Sequence, residues 1–314
     1  MTRPRVFVLD VFHEAGMELI ARHADVVRWD DPRVGAWREE ADGLMVRLTR
    51  LGEADFAAAR HLRAVAKQGV GIENIDLAAA ARHGVLVCNT PGVNSEAVAE
   101  IALALGLCAG RRIAEMDRVM RAGGTIKRDR YLGVEAAGRT VGVIGMGNIG
   151  TRVARKWRGA FDAALIGYDP YVPAGTWPDL PHVRATSLNA LLEASDLVTI
   201  HCPLTEETHH MIGAAELARM KPRAILVNAA RGGIVDEVAL HDALKNGRLF
   251  AAGLDVFEVE PPTTETTPLL ALPNVVATPH AAGGTEDTQI RSATLVAEQL
   301  LAALAGQPVL SRVA

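Results

Sequence analysis

The chain has 314 residues, 49% of them hydrophobic, 22% charged and only 4% aromatic, with a formal net charge of −4 at pH 7. That length predicts two globular α/β domains of roughly 100–200 residues each. The mild negative charge and the lack of any basic block argue against nucleic acid or an anionic membrane as main partner.

Strands and helices alternate from the first residues onward, the pattern of parallel sheets covered on both faces. Met1–Asp10 enters a strand with no apolar signal-peptide core, so no leader is expected, and runs such as Ile101–Cys108 fall short of the ~20 residues a membrane span needs. The first half reads as strand Val6–Asp10, helix Glu14–Ala24, and strands Val26–Trp29 and Gly43–Arg47. Helix Ala54–Arg60, strand Ala64–Gln68, helix Asp76–His83 and strand Val85–Asn89 follow. A single long apolar helix is expected from Ser95 to about Arg121, as a bridge between domains and a candidate oligomer surface.

The second half opens with a strand at Thr140 and continues with helix Ile149–Trp157, strand Ala164–Tyr168, helix Leu188–Glu193 and strand Asp196–His201. Helix Ala214–Met220, strand Ala224–Asn228, helix Glu237–Lys245 and strands Ala251–Val256 and Asn274–Thr278 come next, before a last helix over roughly Glu286–Ala305. The Pro/Thr-rich piece Glu260–Pro268 reads as a loop. Cys88, Cys108 and Cys202 form no CxxC pair and leave an odd count, as reduced thiols of a cytoplasmic protein would, two of them in the core.

The densest signal is Thr140-Val-Gly-Val-Ile-Gly-Met-Gly-Asn-Ile-Gly150, a buried strand running into a glycine turn and a helix. Gly145, Gly147 and Gly150 have the G-x-G-x-x-G spacing: the first for a tight turn, the second for close approach to a pyrophosphate, the third for helix–strand packing. The N–H groups of Asn148 and Ile149 would then face phosphate oxygens at the helix start. Asp169 ends the next strand, near the ~20-residue offset of an acid that holds an adenosine ribose. With Pro170 and Tyr171 after it rather than an arginine, it would repel a 2′-phosphate, so NAD is expected over NADP.

Three downstream strands end in Val227-Asn-Ala-Ala-Arg231, Gly253-Leu-Asp255 through Glu260, and Ala277-Thr-Pro-His280. In a doubly wound sheet those ends face the ligand crevice. Arg231 could hold a carboxylate and polarise a carbonyl. His280 could carry the proton to or from its oxygen, and Glu260 could orient the imidazole. Asp255, an acid closing an apolar strand, needs a buried partner. Together they suit hydride transfer between NAD and a 2-hydroxy or 2-oxo acid. No HExxH or H-x-H cluster is present, His209 and His210 would diverge on a helix, and no metal is expected.

The chain resembles the D-isomer-specific 2-hydroxyacid dehydrogenases over nearly its whole length. The resemblance rests on Gly69-Val-Gly-Ile-Glu-Asn-Ile-Asp76, Asn89-Thr-Pro-Gly-Val-Asn94, the Gly145–Gly150 turn with Gly167-Tyr-Asp-Pro170, and His201-Cys-Pro-Leu-Thr205. It continues through Leu226–Asp236, Leu254–Pro261 and Thr278-Pro-His280. It implies a Rossmann NAD-binding domain, residues 94–281, inserted in a flavodoxin-like substrate domain of residues 1–93 and 282–314, with a cleft between them and a homodimer.

The same resemblance implies Arg231, Glu260 and His280 as the catalytic set, and Val70, Gly71 and Asn94 beside the substrate. It further implies Asn148, Ile149, Cys202, Pro203, Thr208, Ala229, Arg231, Asp255, His280 and Gly283 as NAD contacts. Within the family the chain looks most like phosphoglycerate dehydrogenases without a regulatory domain. Arg47, at the end of a strand, would meet an anionic substrate tail such as that of 3-phosphoglycerate. Hydroxypyruvate or glyoxylate reduction is the alternative, and a non-catalytic, NAD-sensing corepressor-like protein the reading from another class. The chain departs from the family at Ala281-Ala-Gly-Gly284, where Ile-Gly often follows the histidine, and at Glu73, often Asp.

Overall fold

A computed structural model of the chain describes residues 3–314. They form two compact units, one reaching to Asn94 and resuming at Gly284–Ala314, the other Ser95–Gly283.

The first unit begins with β1 (Arg5–Val8), α1 (Glu14–His23), β2 (Asp25–Val27), α2 (Trp37–Glu40) and β3 (Gly43–Val46). It continues with α3 (Glu53–Ala58), β4 (Ala64–Lys67), α4 (Leu77–Arg82) and β5 (Leu86–Cys88). Its five strands pair in parallel in the order β2-β1-β3-β4-β5. Successive side chains of a strand point to opposite faces, so each strand feeds two cores. Phe7, Leu44, Val46 and Val65 pack with Trp37, Phe56 and Ala79 on one face. Val6, Val8, Met45, Ala64 and Ala66 pack on the other face with Met17 and Ile20 and with Val296 and Leu300 of the C-terminal helix.

The second unit opens with α5 (Ser95–Gly110), α6 (Ile113–Arg121), β6 (Thr140–Ile144), α7 (Asn148–Phe161), β7 (Ala164–Tyr168) and β8 (Val183–Arg184). Then come α8 (Leu188–Ala194), β9 (Leu197–Ile200), α9 (Ala214–Arg219), β10 (Ile225–Asn228), α10 (Glu237–Lys245), β11 (Ala251–Leu254) and β12 (Val275–Ala277). Helix α11 (Glu286–Leu304) belongs to the first unit. The seven strands run parallel in the order β12-β11-β10-β9-β6-β7-β8. The chain winds outward from β6 to β8, then returns to β9 and winds the other way. The reversal puts a switch point beside β6, where open α/β sheets bind ligands. Alternation again divides the core: Ile225 and Val227 face α5 and α7 residues such as Leu105 and Trp157, while Leu226 joins Leu191, Leu217 and Leu240.

The single helix expected over Ser95–Arg121 is two. Arg112 takes a left-handed φ of 56° between α5 and α6. The cause is a returning segment: Val134 N–H donates to the Gly110 carbonyl at 2.8 Å, and a Cβ on Gly133 would stand 2.6 Å from that same oxygen. Of the cysteines only Cys88 is fully buried, whereas two were expected in the core; Cys108 and Cys202 keep part of their surface. Among the described residues no helix is long and apolar enough to cross a membrane, and no His/Cys/Asp/Glu cluster could hold a metal ion.

Candidate active site

The glycine turn after β6 has three distinct requirements. Gly145 has φ +90°, and its Cβ would stand 2.6 Å from the His201 backbone. A Cβ on Gly150 would fall 2.0 Å from the Gly145 carbonyl, so helix α7 lies directly on the turn. At Gly147 a Cβ would meet nothing within 4 Å, so the backbone faces open space. Gly147 is also the N-cap of α7 and provides no side-chain cap. An uncapped helix start with its backbone exposed is what a pyrophosphate needs, so these residues fit a dinucleotide.

Asp169 follows β7 and shapes the same turn. Its Oδ2 accepts from Met146 N–H at 2.9 Å and its Oδ1 from Tyr171 N–H at 3.0 Å. Arg184, on β8, donates to the carbonyls of Asp169, Val172 and Pro173. That arginine is occupied in bracing the loop from behind.

Cys202, Pro203 and Thr208 follow β9 in a turn that Thr208 Oγ1 closes by donating to Pro203 O at 2.7 Å. Burial pushes the Cys202 thiol up to about 11. Ahead of it, His201 N–H donates to Ile144 O at 2.7 Å. Its ring Nε2 lies 2.7 Å from Thr199 Oγ1, and its Nδ1 is sealed without a partner. Burial drives this ring down to about 3, so it stays neutral.

The adjacent strands β10, β11 and β12 deliver Arg231, Glu260 and His280 on the same sheet edge. Asn228, 2% exposed, closes the first turn: its Nδ2 donates to Arg231 O at 2.9 Å and its Oδ1 accepts from Ala230 N–H at 3.1 Å. Arg231 Nη1 donates to Ala230 O at 2.8 Å. A Cβ on Gly232 would stand 1.9 Å from Phe257 O, so the arginine turn presses against the loop carrying Glu260. Ala229 is buried beneath.

His280 Nδ1 lies 2.8 Å from Glu260 Oε2, and Glu260 Oε1 accepts from Phe257 N–H at 3.2 Å. Both carboxylate oxygens are thus used, and Nε2 is the ring atom directed away from Glu260. The histidine side chain is 48% exposed. Its backbone has φ +53°, a conformation that costs a non-glycine residue roughly 1–3 kcal/mol unless its surroundings impose it.

Asp255 imposes it. It is 1% exposed, and its carboxylate accepts from Thr278 Oγ1 at 2.6 Å, Ala281 N–H at 2.9 Å and Ala282 N–H at 3.0 Å. The partner its burial demanded is therefore the loop around His280, on to Gly283. Nearby, Glu237 Oε1 accepts from Glu258 N–H at 2.7 Å, and burial raises the Glu237 carboxyl.

The remaining sequence-predicted positions lie in the first unit, at the carboxyl ends of its strands. Arg47 is exposed after β3, and its N–H donates to Asp10 Oδ2 at 2.6 Å; Leu48, Thr49 N–H and Thr49 Oγ1 bind the same carboxylate. Val70, 43% exposed, and Gly71 follow β4, with Asn89 Nδ2 donating to Val70 O at 2.9 Å. Asn94 follows β5, and its Oδ1 is buried without a partner. Asp10, Asn228 and Arg184 organise these loops and were missed from the sequence. A polar residue closing an apolar strand was the available signal for the first two.

The family described as D-isomer specific 2-hydroxyacid dehydrogenase, NAD binding domain, matches residues 103–282. The chain is 43% identical to a glyoxylate reductase of Korarchaeum cryptofilum, over 97% of this chain and 94% of that protein. It is 39% identical to a D-3-phosphoglycerate dehydrogenase of Methanocaldococcus jannaschii, over 96% of this chain but only 58% of that longer protein. The crystal structure of the TT0316 protein from Thermus thermophilus matches with a TM-score of 0.88 at 36% identity, covering 99% of this chain and 100% of that one. Matching family, relatives and sheet topology agree, and the chain belongs to the D-isomer-specific 2-hydroxyacid dehydrogenase family.

Proposed function

We propose that the chain is an NAD-dependent oxidoreductase acting between a small anionic D-2-hydroxy acid and its 2-oxo acid. The observation that carries this reading is the 2.8 Å His280–Glu260 pair, set on the same sheet edge as the Arg231 turn and the glycine turn. Bound at the glycine turn, with Asp169 on its ribose, the nicotinamide dinucleotide supplies the hydride acceptor or donor. Arg231 binds the substrate carboxylate and stabilises charge on the carbonyl oxygen. His280 gives a proton from Nε2 to that oxygen in reduction and takes it back in oxidation. Glu260 holds Nδ1, fixing which nitrogen faces the substrate.

Arg47, Val70, Gly71 and Asn94 are assigned to the substrate side, with Arg47 for an anionic tail. That assignment favours 3-phosphoglycerate, with hydroxypyruvate and glyoxylate as the competing substrates. The deciding experiment is NADH oxidation with phosphohydroxypyruvate, hydroxypyruvate and glyoxylate. No turnover with any of them, despite NADH binding, refutes the dehydrogenase and favours a non-catalytic NAD-sensing role. A cytoplasmic homodimer completes the reading. Ile113, Met120 and Leu132 are 48%, 65% and 68% exposed on and after α6, apolar surface that a second copy would cover. Sedimentation equilibrium tests the dimer.

A further inference from the structure

Strand β6 lies between β7 and β9 in the sheet, so the loops after β7 and β9 flank the glycine turn that β6 delivers. With neighbouring strands ~4.8 Å apart, the two flanking loops start roughly 10 Å from each other. One side-chain bond joins them: the Tyr171 hydroxyl donates to Glu207 Oε2.

Each loop is braced on its own side. The β7 loop is held by Arg184 on three carbonyls and by Asp169 on Tyr171 N–H. The β9 loop is held by Thr205 and Thr208, whose hydroxyls bond each other and the turn's own backbone. Tyr171 is 74% exposed, so little packing fixes its ring. Glu207 raises the Tyr171 phenol by that same hydrogen bond. Two stiff loops linked by one exposed bond make a closure that breaks at one point.

We propose that Tyr171 and Glu207 form a strap across the dinucleotide turn, and that breaking their bond gates entry and exit of the adenosine end of the cofactor. This rests on the dinucleotide reading, which sets Asp169 on one flank of the adenosine and Pro203 and Thr208 on the other. The two ends of the bond stand on the loops that flank the glycine turn on either side. A gate differs from a contact in its kinetics. Weakening a contact speeds release alone, whereas weakening a gate speeds association and release together and leaves affinity nearly unchanged.

The test is stopped-flow fluorescence of NADH binding to the full chain, comparing the parent with Tyr171→Phe and Glu207→Gln. An exposed charge-assisted bond is weak, so a change of no more than about fivefold in rate is expected. Tyr171→Phe is expected to raise both rate constants by about three- to fivefold, with Kd within about twofold of the parent. Glu207→Gln keeps an acceptor for the hydroxyl and should fall between the two. An association rate no higher than the parent's in Tyr171→Phe overturns the gate, whatever the release rate does. If the parent binds no NADH, the dinucleotide reading itself fails; normal binding with unaltered rates removes the strap alone.

Discussion

Asp255 holds His280 from below: its backbone carbonyl accepts the histidine N–H at 2.7 Å, while its carboxylate ties the residues on either side, Thr278, Ala281 and Ala282. A buried acid bound only to donors of one loop fixes that loop's geometry. Asp255→Ala strands the buried Ala282 N–H and leaves the part-buried Ala281 N–H and Thr278 hydroxyl without their acceptor, at a cost of roughly 3 kcal/mol. It also releases the left-handed backbone at His280. The expected outcome is a lower urea midpoint together with a fall in turnover. Asp255→Asn can still accept at one oxygen and should lie between. A variant as stable as the parent would show that the loop holds itself.

The imidazole and Glu260 can be separated by substitution. His280→Ala removes the group assigned to proton transfer and should lower kcat by at least ~10²-fold. Glu260→Gln keeps an acceptor for Nδ1 but replaces a charge-assisted hydrogen bond by a neutral, weaker one, so a smaller loss, about tenfold, is expected. Steady-state assays with saturating NADH measure both. Equal losses would mean that Glu260 acts by more than its charge, and an unchanged rate for His280→Ala would remove it from the chemistry.

The glycines of the fingerprint should fail differently. A methyl at Gly150 would fall 2.0 Å from the Gly145 carbonyl, an overlap with backbone that nothing nearby can relieve. Overpacking of that kind costs 1–3 kcal/mol or more, and Gly150→Ala should lower Tm markedly. Gly147 has φ −77° and open space at its Cβ position, so Gly147→Ala should fold normally and bind NADH at least ~10-fold more weakly. Calorimetry and NADH titration on both variants check the contrast. A destabilised Gly147→Ala with unaltered affinity would contradict it.

The alternation of apolar runs made the parallel sheets legible, because a strand buried on both faces reads the same from its neighbours as from itself. The strand from Thr140 starts where the sequence indicates, and Ala164–Tyr168 both starts and ends there. The break at Arg112 was not legible. Gly110 ends α5, but a lone glycine in an apolar helical run is tolerated and does not by itself mark a stop, and the contact that ends the helix comes from Val134, far along the chain. The site divides in the same way. Gly145, Asp169, Arg231, Glu260 and His280 announce themselves by residue type at strand ends. The groups that hold them do not: Asp10 gathers the Arg47 turn, and Tyr171 meets Glu207, across distances the local pattern does not encode.

His201 makes stability depend on acid. Its ring titrates near 6.5 when unfolded, but burial lowers this to about 3 in the native chain. A depressed folded value means that the unfolded state binds the proton first. The stabilisation from keeping the ring neutral is therefore complete above pH 6.5 and is lost as pH falls from 6.5 toward about 3. Within that window each pH unit costs up to about 1.4 kcal/mol from this group. His201→Gln has no ring to protonate and can still reach the Thr199 hydroxyl. Urea midpoints measured from pH 7 to pH 5 should fall more steeply for the parent than for the variant. Carboxylates contribute equally to both proteins, so the difference in slope isolates His201, and parallel slopes would mean that the ring is protonated without penalty in the folded chain.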